Sequence, residues 1–376
     1  MRVRLRALLA IALVSGCGGS TGPTKAAPSA PVHQLSSGGD VSCAVTADST
    51  AWCWGRGFGP KPAVWASGTK FRWVSVALSG ASASYVCGVA VGGQTLCQGT
   101  ATVDSSASWS LGAAPTPLIN DTVIDTISAG GSHFCGVNAA HAIWCWGQYA
   151  AGVRGDSVVP GARDSFDVPS KVAGGISWTQ VAAGDDHTCG LASNGAVWCW
   201  GKATQVGVGD TTQYASFDTT CNVSAGGSGR CAYAPLPVAG VPSSIKLASN
   251  GSTTCAITSS YTLWCWGYVG PVAGNAGQVP AAMPISTVAT AVAVGSLGGY
   301  CIISPAGDIY CGSLGSAPAI VQGGLKFTDV SAGSDHACGI GAGGYLYCWG
   351  QNGSGQLGVG DSTARSLPTQ VVIPIP

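Results

Sequence analysis

Sixteen of the 17 cysteines fall into eight pairs, and each pair has the same separation of ten residues: Cys43/Cys53, Cys87/Cys97, Cys135/Cys145, Cys189/Cys199, Cys221/Cys231, Cys255/Cys265, Cys301/Cys311 and Cys338/Cys348. Chance spacing does not repeat eight times. No CxxC or CxxCH is present to suggest zinc, thiol redox or haem chemistry. Between Cys189 and Cys199 the chain reads GLASNGAVW: an apolar stretch, a Ser193-Asn194-Gly195 turn and a second apolar stretch. A three-residue hairpin loop of this type places a residue in the left-handed region at its third position. Centring it on Asn194 sets the two cysteines directly opposite each other, where Cα atoms lie about 4.5–5.5 Å apart and a disulfide fits. The same register puts glycine third in the turn at Gly93, Gly307 and Gly344. Each bridge is therefore expected to staple one hairpin and to join no two repeats. Closing so short a loop restricts the unfolded chain by about 2.7 kcal/mol.

Seven of the pairs belong to a longer unit. The steps between first cysteines are 44, 48, 54, 66, 46 and 37 residues, a mean of about 49. A period of 40–50 residues with several short strands per unit is the signature of propeller blades. Composition agrees: in 376 residues there are 58 glycines, all 16 acidic residues are aspartate, and only 9% of the chain is charged. Without glutamate and with this much glycine the chain is a poor helix former, which excludes a helical bundle.

The last unit, VSAGSDHACGIGAGGYLYCWGQNGSGQLGVGD at 330–361, recurs in part as TISAGGSHFCGV at 126–137 and QVAAGDDHTCGL at 180–191, and CWG begins at 53, 145, 199, 265 and 348. This pattern, with a later PxxV ending in Pro368 and Val371, resembles the regulator of chromosome condensation repeat family, over essentially the whole of residues 32–376. The resemblance implies an all-β, seven-bladed β-propeller with one hairpin disulfide per blade. The second and sixth units depart from the pattern, with CQG at 97 and CGS at 311. The first unit lacks an upstream PxxV while LPTQVVI at 367–373 is left over, so the terminal segment is expected to close the ring by pairing with the first blade.

Arg2, Arg4 and Arg6 precede an apolar run from Ala7 to Val14 and small residues before Cys17, the layout of an export signal over 1–16. LVSGC at 13–17 resembles a bacterial lipobox, which implies cleavage before Cys17 and a lipid anchor on its thiol; the alternative is an ordinary secretory signal. The Gly/Ser/Pro/Ala-rich stretch 17–31 reads as a flexible tether. An exported chain sits where disulfides persist. Without the signal the balance is about −3 with no basic stripe, which disfavours nucleic acid as a partner. The expected location is the cell envelope, with the membrane contacted through the anchor alone and the chain a monomer.

Candidate chemistry is sparse. His133, His187 and His336 hold one repeat position and read as structural residues; a metal ring drawn from three blades is the minor alternative. Arg154-Gly155-Asp156 resembles an integrin motif, but GVRGD at 152–156 aligns with GVGD at 207–210 and 358–361, so its Gly-Asp reads as repeat fabric. The WCW runs at 52, 144, 198 and 264 set both tryptophans on one strand face and cysteine on the other, which places the rings between blades. No GxSxG, HExxH, P-loop or dinucleotide fingerprint occurs, and no cofactor or metal site is expected. The 66-residue step holds an insertion at about 211–238 with the eighth cysteine pair, flanked by Tyr214, Phe217, Arg230 and Tyr233, residue types enriched at interface hot spots. The reading is a non-enzymatic envelope module whose loops bind a protein or cell-wall partner. The alternatives are a glycan-binding or glycan-cleaving surface lipoprotein, in which two aspartates would act, and nucleotide exchange on a GTPase by family analogy, disfavoured by export.

Overall fold

The computed structural model describes residues 28–79, 83–99, 114–118, 122–131, 133–147, 150–158, 168–208, 217–222, 228–267, 280–283, 285, 287–296, 298–314 and 316–375. They form seven antiparallel sheets, six of four strands and one of five. Blade 1 runs Val32–Gly38, Val41–Thr46, Ala51–Gly55 and Gly59–Val64. Blades 2 to 7 begin with inner strands Phe71–Ser79, Thr126–Ala129, Trp178–Ala183, Ser244–Asn250, Ala291–Val294 and Phe327–Ala332. In six blades the chain steps outward strand by strand, whereas in blade 4 the outermost strand precedes in sequence the one inside it; in blade 7 the PxxV segment is the outer strand, Arg365–Val371.

Each of the seven repeat disulfides joins the second and third strands of one blade, with the two cysteines as direct partners in the ladder and Cα atoms 4.1 Å apart. The turn geometry also holds in all seven. Six residues after the first cysteine, φ is positive at Gly93, Gly195, Gly307 and Gly344, and equally at Ser49 (67°), His141 (57°) and Tyr261 (62°), where the sequence has no glycine. The hairpin thus dictates a left-handed residue even against the cost of a Cβ there.

Blade packing follows from the alternation of the WCW strand. The disulfide face of one blade packs on the tryptophan face of the next: Cys135 and Cys145 lie in one cluster with Trp200, Cys189 and Cys199 with Trp266, Cys87 and Cys97 with Trp146, and Cys338 and Cys348 with Trp54. Trp54, Trp146, Trp200 and Trp266 are fully buried, whereas their partners Trp52, Trp144, Trp198 and Trp264 are half-buried. Each buried indole removes about 150–250 Å² from water, an upper bound of about 4–6 kcal/mol. The two departures from the repeat are compensated locally. At Gln98 the indole position is taken over by Trp65 of the preceding blade, whose Nε1 donates to Gln98 Oε1 at 2.6 Å. At Gly312 the bulk comes from its cross-strand partner Tyr300, 1% exposed, whose hydroxyl donates to Ser316 O.

Ring closure differs from the sequence expectation. Residues 367–373 do not add a strand to blade 1; Arg365–Val371 completes blade 7 by pairing with Leu346–Gly350. Every unit carries its own outer strand, so none has to be borrowed. Blades 7 and 1 meet by packing, with Ala30, Val32, Leu35 and Trp54 against Leu346, Leu357, Val371 and Ile373, and by Ala30 N donating to Ile373 O and Ile373 N to Ser29 Oγ.

Candidate binding surfaces of the ring

An inner strand has one unpaired edge, and here it faces the axis of the ring. Adjacent blades cover it with side chains. Ser36, Ser75, Ser128 and Ser331 hydroxyls accept from the backbone N–H of Val76, Ala129, Ala183 and Ser37 on the next blade. Two residues earlier, Gln34 and Gln180 clamp the N–H and C=O of Val74 and Leu247, and Trp73 donates to Ile127 O. A cavity of about 300 Å³ is left along the axis, lined by inner strands of all seven blades.

The three repeat histidines are latches between blades. Nε2 of His133 meets Thr188 Oγ1 at 2.7 Å, Nε2 of His187 meets Thr254 Oγ1 at 2.7 Å, and Nε2 of His336 meets Ser42 Oγ at 2.8 Å. Each hydroxyl belongs to the residue just before the first cysteine of the following blade. Gln205 Oε1 sits 3.0 Å from Nδ1 of His187 and accepts its proton, which leaves Nε2 to accept from Thr254. All three rings are buried, and burial pushes their pKa values down, to about 3 for His133 and about 4 for His187 and His336. They are neutral hydrogen-bonding groups at pH 7. Among the described residues no group of three His, Cys or Asp side chains is placed to hold a metal ion. Asp186, the neighbour of His187 in sequence, pairs with Lys202 at 3.6 Å.

At the channel mouth Asp185 is pushed up to about 6, first by burial and then by Asp186, with Lys202 opposing. On Arg154-Gly155-Asp156 the structure shifts the alignment of the Gly-Asp by two residues. Gly155, Gly207 and Gly358 are equivalent, each with positive φ and each lying on the indole of the following blade, Trp200, Trp266 or Trp54. Asp156 thus matches Val208 and Val359, and it is not the repeat aspartate. Arg154 is 5% exposed, donates to Ser170 Oγ and Val168 O, and lies 3.6 Å from Asp156. The tripeptide is folded inward and offers no free guanidinium.

The insertion belongs to the sheet of blade 4. Ser228–Pro237 is the outer strand, pairing Gly201 with Ala232 and Lys202 with Cys231, and Phe217–Asn222 adds a fifth strand outside it. Its register shifts between Asp218 and Cys221, so Cys221 opposes Gly229 and Asp218 opposes Cys231, unlike the seven stapled hairpins. Cys231 is disulfide-bonded. Of the four residues expected to form an interface, Tyr233 is 8% exposed and packs with Ala151, Val153 and Cys231, which removes it from the surface. Its burial follows from the strand it occupies, which the expected protruding loop did not include. Arg230 is half-buried and Phe217 opens the fifth strand; Tyr214, like Cys17 and the segment 1–16, lies outside the described residues.

The model of the regulator of chromosome condensation (RCC1) repeat matches residues 178–205 and 327–356 in one form and 343–375 in another. The ultraviolet-B receptor UVR8 of Arabidopsis thaliana is 24% identical over 299 residues, 68% of this chain and 59% of the receptor. The mitochondrial RCC1 domain-containing protein RUG3 of the same plant is 28% identical over 156 residues, 38% of this chain and 29% of RUG3. The chain thus spans less than two thirds of the curated relatives it matches. Among solved structures, human WBSCR16 superposes with a TM-score of 0.67 at 17% identity, covering 85% of this chain and 86% of that one. Yeast RCC1 (Prp20), solved bound to Kap60, gives 0.51 at 16% identity, covering 90% and 74%. The CRINKLY WD40 ectodomain of the Arabidopsis thaliana receptor kinase ACR4 gives 0.53 at 18%, covering 92% and 99%. At these identities the solved structures speak for the fold alone. Residues 178–205 and 327–375, in blade 4 and blade 7, thus match the regulator of chromosome condensation repeat, and they lie on a seven-bladed β-propeller.

Proposed function

We propose that the chain is a non-enzymatic binding module of the cell envelope, held to the membrane by a lipid on Cys17 and presenting the loops of a rigid ring to a protein partner. The observation that carries this is where the chemically able side chains are spent. His133, His187 and His336 latch one blade to the next, Arg154 and Asp156 are buried together, and the inner tryptophans fill the seams. What distinguishes one blade from another is the added sheet edge of blade 4 at Phe217–Asn222. The solved yeast RCC1 complex is a propeller of like fold with a protein bound. The export signal and the −3 balance support an envelope setting without nucleic acid. Monomer and tether, residues 17–31, complete the proposal.

A glycan-binding or glycan-cleaving reading has one observation in its favour, the raised carboxyl of Asp185 at the channel mouth, the state a general acid needs. Chemical crosslinking of the protein in its own envelope, followed by identification of what is captured, tests the first reading. Recurrent capture of one protein supports it. Binding to purified peptidoglycan or polysaccharide without a captured protein moves the assignment to glycans. Capture of nothing but lipid and other copies of this chain overturns it.

A further inference from the structure

The inner-strand edges are covered unevenly. The serine position that caps the next blade is Ser36, Ser75, Ser128 and Ser331 on blades 1, 2, 3 and 7, but Ala182, Ala248 and Ala293 on blades 4, 5 and 6. Blade 6 is the extreme case. Its Val292 is in the register position at which Val74 and Leu247 are clamped by glutamine, and its Val294 is in the position at which Val76, Ala129 and Ala183 are capped by serine. The preceding blade offers Lys246 and Ala248 at the corresponding sites, and no side chain among the described residues bonds the backbone of Val292 or Val294. Both valines line the axial cavity.

The two residues beside this open edge are charged and opposite. Lys246 on blade 5 and Asp329 on blade 7 share one register position, facing Ile257 and Ile340 on their own sheets, and blade 6 stands between them with Ala291 at that level. Burial pushes the Asp329 carboxyl up and the charge of Lys246 opposes it; among the described residues the two form no ion pair and Lys246 has no hydrogen-bond partner. Asp329, which with Lys246 lines the cavity, accepts from its neighbour Val330 N at 2.9 Å through Oδ1. An ammonium and a carboxylate held apart across an apolar strand edge with spare N–H and C=O groups are complementary to a small zwitterion with an amide. The volume of about 300 Å³ is at the lower end of pockets that hold small molecules, about 300–1,000 Å³.

We propose that the axial cavity binds a short free peptide, of dipeptide size, with its carboxylate on Lys246, its ammonium on Asp329 and its amide against the open edge of the blade 6 inner strand. The site is inside the ring and separate from the face loops, so it stands or falls independently of the envelope partner. The test is calorimetric titration of the purified mature protein with L-alanyl-L-alanine, its N-acetylated form and its C-terminal amide. Saturable one-to-one binding of the free dipeptide is expected, with each blocked form at least about tenfold weaker. Lys246→Met is expected to erase the preference for free carboxylate over amide, and Asp329→Asn the preference for free over acetylated amine. Absence of binding at 10 mM free dipeptide, or equal binding of all three by the unmodified protein, overturns the proposal whatever the variants do.

Discussion

Lowering the pH from 7.5 to 5 should lower the folding stability of this ring, because three of its seams are latched by buried, neutral histidines. The unfolded chain titrates its histidines near 6.5; the folded chain holds them at about 3, 4 and 4. The folded values are depressed, so below pH 6.5 the unfolded state binds more protons. Their stabilising contribution is full above pH 6.5 and is lost as pH falls toward 4. At pH 5 each depressed histidine forfeits 1.5 pH units of linkage, about 2 kcal/mol at 1.36 kcal/mol per unit, and the three together about 6 kcal/mol. Asp185 works in the other direction. Its folded value near 6 lies above the unfolded carboxyl value, so acidification to pH 5 relieves about 1 kcal/mol of its burial cost. Asp329 and Asp335, also pushed up by burial, oppose the histidines in the same way, so the net loss is at most about 5 kcal/mol, against the 5–15 kcal/mol typical of a folded domain. Urea unfolding with the disulfides intact, followed by tryptophan fluorescence at pH 7.5 and pH 5, measures it. His187→Gln should lower stability at pH 7.5 and remove about one third of the pH dependence. A stability that is flat between the two pH values, or a dependence unchanged in a variant lacking all three histidines, would refute the latch assignment.

Other substitutions test single seams and turns. Tyr300→Ala removes the ring that stands in for the tryptophan missing at Gly312 and should cost about 3–5 kcal/mol in chemical unfolding, while Tyr300→Phe should cost only the bond to Ser316 O, about 1 kcal/mol. Gly201 has φ of +105° and a Cβ there would lie 2.5 Å from Asp186 O, so Gly201→Ala should lose at least about 2 kcal/mol. Tyr261, exposed and at φ of 62°, is the reverse case: Tyr261→Gly should raise the unfolding midpoint by an amount equivalent to about 0.5–1 kcal/mol. Cys17→Ser should release the protein from the membrane fraction of the cell; retention there with unchanged mobility would remove Cys17 as an anchor.

What the sequence makes legible here is what neighbouring residues decide. Ten-residue cysteine spacing encodes a hairpin, and the hairpin's register then imposes a left-handed residue even where Ser49, His141 or Tyr261 stands in the turn. The all-β, seven-bladed fold follows from the same local period. Contacts between blades are not legible in this way, because they join residues 40 to 300 positions apart. The sequence marks His187 as a recurring residue and gives no sign that its partner is Thr254; it shows Ser36, Ser75, Ser128 and Ser331 in one column without showing that they cap the neighbouring strand. Closure by strand exchange was the wrong inference from 367–373 because the PxxV segment was assigned to the following unit, when hydrogen bonding makes it the outer strand of its own. Tyr233 departs from the expectation for a related reason: an insertion counted by length looks like a loop, but its Ser228–Pro237 stretch is the outer strand of blade 4, and Tyr233 is buried there. The column of serines turning to alanine at 182, 248 and 293 was the available signal for the uneven channel wall.

Seam packing of disulfide face on tryptophan face requires every repeat bridge to lie within a single hairpin, since a bridge between blades would turn a cysteine out of its seam. Proteolytic mapping of the unreduced mature protein by mass spectrometry measures this directly. Cross-linked peptide pairs should appear at Cys43–Cys53, Cys87–Cys97, Cys135–Cys145, Cys189–Cys199, Cys255–Cys265, Cys301–Cys311 and Cys338–Cys348, with no free thiol among these fourteen. A pair joining cysteines of two different blades would contradict the seven-hairpin ring.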